Sequence, residues 1–313
     1  MAELGYRYTF TVFTPTWNRA FTLPRVYQSL RAQTFRDFEW LVVDDGSSDD
    51  TKELIARWQE ERTFPIRYIY QENQGKHIAF NRGVREAQGE LFLTLDSDDA
   101  CVPQALERLK YHWDGVPDGQ RERFSAVTAL CQDHNGKLIG EPFPRDILDS
   151  DSIELAFKYK VRGEKWGFQR TEVLKQFPFP VVPGAKYISE GAVWFALSRR
   201  FKTRFVNEML RIYHVADDCG DRMSALSTGT IRGRAFFHRQ VLNDFVDLLP
   251  RYPWGVLRSA INFSRYSFGE GLSLSSQFGQ LRPLRARLLL AASMPIGLLM
   301  AFHDKHSPVR PSA

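Results

Sequence analysis

Asp96, Asp98 and Asp99 fall within four residues of one another in LTLDSDDA (93–100), at the end of an apolar run that reads as a strand. Carboxylates packed this closely repel one another, and a divalent cation relieves the repulsion. An all-oxygen donor set suits Mg²⁺ or Mn²⁺ rather than zinc. The alternative is a solvated acidic turn. A second acidic run, VVDDGSSDDT (42–51), brings Asp44 and Asp45 to the end of another strand-like run, ahead of Gly46 and a new helix. By itself it is equally a turn with a helix cap, because Asp, Gly and Ser are favoured at any strand-to-helix corner. Ligands of open α/β sheets bind outside the carboxyl ends of the strands, so both positions point towards a ligand site. No GxxxxGK[ST] loop is present and no GxGxxG follows the first strand, which leaves a metal to hold any phosphates.

Short β-rich runs alternate with helical patterns over the first hundred residues, the sign of a largely parallel, Rossmann-like sheet with crossover helices. Strands are expected at Tyr8–Thr14, Trp40–Asp44, Arg67–Tyr70 and Leu91–Leu95. Between them, Thr22 with Pro24 opens one helix, Asp49, Asp50 and Thr51 offer caps for a second, and Pro103 opens another with Leu106, Leu109 and Trp113 on one face. Beyond Gly115 a strand is expected at 125–131, loops to about 150, helix near 151–161, a Pro-rich loop at 177–184, helix from Glu190 to Arg200 and strand from Thr203 to Tyr213. Residues 230–249 read as helix. The final apolar run, 288–302, is 15 residues long and interrupted by Pro295 and Gly297, short of the roughly 20 residues that cross a bilayer, so it is expected not to span.

At 313 residues, with 43% hydrophobic and 13% aromatic content and no internal repeat, the chain has a core large enough to exclude fibrous, disordered and repeat classes. Cys101, Cys131 and Cys219 form an odd, widely spaced set without CxxC, which excludes a disulfide scaffold and structural zinc and predicts reduced thiols. The N-terminus shows no basic and apolar leader, so a cytoplasmic location is expected. The net charge is +5, but residues 230–313 carry eleven Arg/Lys against four Asp/Glu. This basic tail is a solvated face or an attraction to anionic membrane; nucleic acid is disfavoured because the excess avoids the motif region.

Taken in order, three stretches resemble family 2 glycosyltransferases of the GT-A fold. TVFTPTWNR (11–19) is similar to that family's first strand and loop, LRAQTFRDFEWLVVDDGSSDDT (30–51) to its QT…E…VDDGSxDxT signature, and ENQGKHIAFNRGVREAQGELFLTLDSDD (72–99) to its NxGxxxAxNxG…GE…LDxDD run. The likeness covers 8 to about 113 closely and 160–214 loosely. It implies an α/β GT-A domain over 1–215, with a nucleotide-binding half at about 1–113 and an acceptor half at about 114–215. A helical C-terminal region, 216–313, follows as a candidate membrane-interface anchor.

The resemblance also implies roles. Pro15, Thr16 and Trp17 border the nucleobase, Trp17 stacking on it unless it packs in the core. Asp45 accepts a hydrogen bond from the base's ring N–H, implying a UDP-sugar, and Asp44 is structural. Gly75, Lys76, Ala79 and Asn81 face the nucleotide, with Lys76 at ribose or diphosphate unless it is a plain surface lysine. Asp96 approaches ribose and metal, Asp98 ligates a Mn²⁺ or Mg²⁺ bridging the phosphates, Asp99 caps the next turn, and His214 is a candidate third ligand. The implied reaction is direct, inverting displacement at the anomeric carbon, with a carboxylate taking the proton of the acceptor hydroxyl. That base lies in an acidic pair of which KYISEGAVWFALSRRF (186–201) keeps Glu190 but has Gly191 in second place. Glu190 is therefore the expected base, with Glu164 as the other route, and Asp217, Asp218 and Asp221 fall where family members have a lid. The donor is a nucleotide-sugar and the acceptor a glycan or lipid-linked hydroxyl in cell-surface polysaccharide or glycoconjugate synthesis. Residues 280–306 are a candidate contact with the inner face of an anionic membrane. A sugar nucleotidyltransferase would need a Gly-rich basic loop that FTPTWNRAF lacks; a relative without turnover is the non-enzyme alternative, raised by Gly191.

Overall fold

The computed structural model of the protein describes residues 5–185, 187–214 and 228–306. Two compact units result, one of Met1–Leu155, Tyr159–Pro178 and Phe195–Asp218, the other of Ala156–Lys158, Phe179–Trp194 and Cys219–Ala313. Residues 179–194, read from sequence as part of the acceptor half, thus group with the C-terminal region.

In the first unit the chain runs β1 (Tyr8–Thr16), α1 (Leu23–Arg31), β2 (Phe38–Asp44), α2 (Thr51–Glu61), β3 (Ile66–Tyr70), α3 (Lys76–Glu86), β4 (Gly89–Thr94), β5 (Ala100–Cys101) and α4 (Ala105–Asp114). It continues through α5 (Asp118–Arg121), β6 (Phe124–Gln132), β7 (Leu138–Ile139), β8 (Ile147–Ser150), α6 (Ser152–Glu154), a π-helical turn at Leu155–Tyr159, β9 (Lys165–Arg170) and α7 (Thr171–Gln176). Helix α8 (Gly191–Ser198), whose residues 191–194 group with the second unit, leads into β10 (Lys202–Ile212). Among the described residues the strands form one mixed sheet in the order β3-β2-β1-β4-β9-β6-β10-β5, with β7 on β6 and β8 on β10. Strands β3, β2, β1 and β4 are mutually parallel, as are β6 and β10, while β9 runs antiparallel to both neighbours. The expected α/β class therefore forms, but the sheet is parallel only over β3-β2-β1-β4 and β6-β10, with β5, β7, β8 and β9 antiparallel to their partners.

Every residue of β2, FEWLVVD, is buried, the run expected of a parallel strand covered on both faces. Phe10, Val12, Trp40, Val42, Leu91 and Leu93 share one core cluster with Leu106, Leu109 and Trp113 of α4. Tyr27 of α1 stacks on Trp58 of α2 with ring centroids 4.4 Å apart. Each such ring taken out of water contributes about 1.5–3 kcal/mol, so this side of the sheet is a stiff platform.

Strand β9 was not expected. Its signal is the alternation of buried Trp166 and Phe168, broken by Gly167. That glycine is required because a Cβ there would lie 2.0 Å from the Val127 carbonyl oxygen of β6. The loops expected up to residue 150 also contain β7, which forms a short hairpin with the preceding β6, and β8, whose partner β10 is distant in sequence.

The second unit carries α9 (Thr228–Asp244), α10 (Pro253–Gly269), α11 (Leu274–Gly279) and α12 (Leu284–His306). Leu242, Val256, Ala260, Phe263, Leu281, Ala286 and Leu290 form its core. The expected break at Pro295 and Gly297 does not occur: α12 is a single 23-residue helix with Pro295 inside it, long and apolar enough to cross a membrane by length and composition. Its buried residues Ala286, Leu290, Ser293 and Gly297 recur every three or four positions. A Cβ on Gly297 would meet Ser264 at 2.5 Å, so the glycine sets a close approach to α10 instead of ending the helix. Leu284, Leu288, Leu299 and Phe302 stay exposed on the other side.

Candidate active site

Strand β1 pairs with β2 as far as Thr16 but with β4 only as far as Phe13, opposite Thr94. Strand order reverses at β1, so the opening between the ends of β1 and β4 is the switch-point crevice of an open sheet. The loops after β1, β2 and β4 border it, and they carry most of the residues singled out from sequence.

The loops after β1 and β2 are stitched to each other. Asp45 N donates to Thr16 O at 2.8 Å, Asn18 N to Ser47 Oγ at 2.8 Å, Ser48 N to Asn18 Oδ1 at 2.7 Å and Ala20 N to Asp49 Oδ2 at 2.9 Å. Asp44 accepts from Ser47 N and Tyr68 Oη, a structural role. Asp45 holds the chain that enters α3: Oδ1 accepts from Gln71 Nε2 at 2.7 Å and Gln74 N at 3.0 Å, and Oδ2 from Gly75 N at 2.7 Å. A carboxylate has about four acceptor positions, so one remains for a ligand. Gly75 sits at φ +97°, a conformation a side chain would strain, and this turn delivers Lys76 to the first position of α3. Ala79 is buried and Asn81 half-buried on the same helix.

Pro15 and Thr16 belong to β1 itself and are buried, whereas Trp17 is 47% exposed and so is not a core residue. Two buried polar atoms beside Asp45 have no partner among the described residues: Thr16 Oγ1 and His77 Nδ1. His77 was not singled out from sequence. Burial lowers its pKa, and Asp45 pulls the other way. Buried polar groups are almost always satisfied, so these two atoms retain hydrogen-bonding capacity.

In the aspartate loop after β4, two of the three carboxylates are paired by side chains of the protein itself, which was not expected from the sequence. Lys76 Nζ lies 2.7 Å from Asp96 Oδ1 and Arg211 Nη2 lies 2.8 Å from Asp96 Oδ2. Arg211, 7% exposed at the end of β10, also binds Asp99 through Nε at 2.7 Å and through Nη2. Burial works against charge on Asp96, but Lys76 and Arg211 outweigh it and hold the carboxyl well below the usual carboxylate range. Asp99 does not cap its turn; its other oxygen accepts from His214 N at 2.8 Å, tying the DSDD loop to the end of β10. The Asp98 carboxylate has no hydrogen bond or ion pair among the described residues, and only its backbone oxygen is approached, by Arg25 at 3.5 Å. No three His, Cys, Asp or Glu side chains converge on a metal position among the described residues, so Asp96, Asp98 and His214 are not assembled as a three-ligand set. A Mg²⁺-type ion needs no such cage, since it takes one or two carboxylates and completes its shell with phosphate and water; half-buried Asp98 fits that demand.

Gln33 and Glu39 of the QT…E stretch are scaffold. Gln33 bridges α1 to Val102 O and Leu106 N, and buried Glu39 accepts from Thr11, Arg67 and Gln88 N. Glu190, in the second unit, is exposed, and its carbonyl accepts from Val193 N and Trp194 N at 3.0 Å as α8 begins. Gly191 has a packing reason: a Cβ would come within 3.0 Å of the Phe237 ring of α9. Glu164 is exposed just before β9. Cys101 and Cys131 are buried and unbridged, burial pushing both thiols up to about 12. Cys219, Asp217, Asp218 and Asp221 lie outside the described residues.

Residues 11–161 match the model of the glycosyl transferase family 2. An uncharacterized glycosyltransferase of Nostoc sp. is 30% identical over 250 residues, 75% of this chain and 75% of that protein. A GalNAc(5)-diNAcBac-PP-undecaprenol beta-1,3-glucosyltransferase of Campylobacter jejuni is 28% identical over 211 residues, 66% of this chain and 64% of that one. Among solved structures, TarS of S. aureus in complex with UDP-GlcNAc superposes with a TM-score of 0.63 at 16% identity, over 95% of this chain and 91% of that chain. A mannosyltransferase from Pyrobaculum calidifontis in complex with GDP-Man and Mn²⁺ gives 0.51 at 18% identity, over 96% and 89%. The fold is thus that of GT-A glycosyltransferases.

Proposed function

Because the chain belongs to glycosyl transferase family 2 and is a glycosyltransferase, we propose that it moves a sugar from a UDP-sugar, with inversion, to a hydroxyl of a glycan or lipid-linked acceptor. The observation that carries this reading is the unpartnered Asp98 carboxylate beside the neutralised Asp96 and Asp99, at the crevice where β1 and β4 part. Thr16, Trp17, His77 and the remaining acceptor position of Asp45 take the base. Gly75, Lys76 and Asn81 line the path of the nucleotide at the start of α3. Asp98, with Asp96 beside it, holds Mn²⁺ or Mg²⁺, and a bound cation supplies compensation for charge on the departing diphosphate. Glu190 removes the proton of the acceptor hydroxyl. The PP-undecaprenol in the name of the Campylobacter relative supports an acceptor brought from a membrane.

The membrane part of the reading rests on α12. Its buried stripe is spent on α10, so the outer stripe of Leu284, Leu288, Leu299 and Phe302 suits lying in an interface rather than crossing it. Arg282, Arg285 and Arg287 flank the first residue of that stripe, and Lys305 follows its last, each basic group near an anionic leaflet contributing about 1 kcal/mol. These features support a location at the inner face of the membrane and a part in the synthesis of cell-surface glycans.

A screen of sugar nucleotides for Mn²⁺-dependent transfer or hydrolysis, with the product anomer read by NMR, tests the chemistry. Full activity in excess EDTA defeats the metal assignment. Glu190→Gln should lower turnover by about 10² to 10⁴ with donor binding intact. Turnover within a few-fold of wild type moves the base elsewhere, Glu164 being next. Leu288→Asp with Leu299→Asp leaves the buried stripe untouched and should abolish co-sedimentation with anionic liposomes; unchanged sedimentation defeats the anchor.

A further inference from the structure

We infer that Lys76 and Arg211 form a two-part electrostatic lock on Asp96, through which the site takes up its divalent cation together with a diphosphate and only weakly without one. The inference rests on the reading of this crevice as a nucleotide-sugar site. The loop carries three carboxylates, Asp96, Asp98 and Asp99, and the two cations leave a formal charge of one unit, centred on Asp98. A lone carboxylate is a poor trap for a hydrated divalent ion, which binds well when phosphate oxygens share its shell.

The two halves of the lock differ in exposure. The Arg211 side chain is 7% exposed and Asp99, whose Oδ2 accepts from both Nε and Nη2 of the arginine, 1%, so this clamp is fixed in the sheet. The Lys76 side chain is 27% exposed and Asp96 26%, so this clamp faces the crevice and can exchange. Lys76 has a flexible stem and stands at the N-terminus of α3, where the helix end favours an incoming anion. An arriving diphosphate therefore competes with Asp96 for the Lys76 ammonium. As Lys76 turns to the phosphates, Asp96 Oδ1 is released beside Asp98, and two carboxylate oxygens become available at the moment the phosphate ligands arrive. Arg211 keeps Asp96 Oδ2 throughout, so the released oxygen is held in place. No bond is made or broken; the step exchanges one ion pair for another.

Mn²⁺ binding to the full chain, followed by the EPR signal of the free ion, tests the lock with Mn²⁺ alone and with UDP or GDP added. A protein-free titration corrects for Mn²⁺ held by the nucleotide. The expected result is at least a ten-fold gain in Mn²⁺ affinity when the nucleotide is present. Lys76→Met should bind Mn²⁺ alone at least ten-fold more tightly than wild type and gain less than three-fold from nucleotide. A merely structural lysine would not produce tighter metal binding on removal. Adding Asp98→Asn to Lys76→Met should return the affinity to the wild-type level or below, with circular dichroism confirming the fold. Equal Mn²⁺ affinity with and without nucleotide, or a Lys76→Met protein no tighter than wild type, overturns the lock. If Mn²⁺-dependent transfer persists in that case, the lock fails alone; if neither Mn²⁺ nor any nucleotide binds, the site reading fails with it.

Discussion

The acidic loops after β2 and β4 look alike in sequence, VVDDGSS against LTLDSDD, yet their carboxylates find partners of opposite kinds. Asp44 and Asp45 are satisfied by uncharged donors, the N–H groups of Ser47, Gln74 and Gly75 and the side chains of Tyr68 and Gln71. Asp96 and Asp99 are satisfied by Lys76 and Arg211, and Asp98 by nothing among the described residues. A loop held by neutral donors keeps its full negative charge and is rigid, which suits reading a hydrogen-bond donor on a ligand. A loop held by cations can exchange one charge for another, which suits taking up an ion and a phosphate.

The sharpest test of this contrast is Asp98→Asn, expected to lower transfer on the order of 10³-fold or more with thermal stability unchanged, because the carboxylate supports nothing in the fold. A drop in melting temperature comparable to that of a core mutant would put Asp98 among the structural carboxylates. Asp99→Asn should behave in the reverse sense, costing about 3–5 kcal/mol in denaturant unfolding, since it removes a buried partner of Arg211. Loss of less than 1 kcal/mol there would mean that Asp96 alone satisfies the arginine.

Asp45→Ala removes three hydrogen bonds at the entry to α3. It should weaken nucleotide binding in calorimetry by about 1–3 kcal/mol, with some of that loss appearing as lower stability. Unchanged binding would confine Asp45 to the turn. The smallest effect is expected for Tyr68→Phe, which deletes one donor to Asp44 and should cost about 1 kcal/mol of stability without changing nucleotide affinity.

Legibility in the sequence followed the range of the interactions. The first four parallel strands and α4 were readable because each is a local run of apolar residues, and the strand-to-helix corners because Asp, Gly and Ser serve the turn they sit in. Strand β9 was hidden because Gly167, needed for close approach to Val127, interrupts its pattern. The unbroken α12 was misread as interrupted because Pro295 and Gly297 usually end helices; here contact with α10 requires the glycine.

The sequence by itself determined the family, the α/β class and the set of carboxylates, since these depend on residue types at short spacing. Only the tertiary structure decided which carboxylate is left without a side-chain partner among the described residues. Arg211 stands 115 positions from Asp96, and no local pattern ties them. The pairing exists because β10 runs beside β6 and β5, bringing the arginine to the DSDD loop, where burial forces it to take two aspartates as partners.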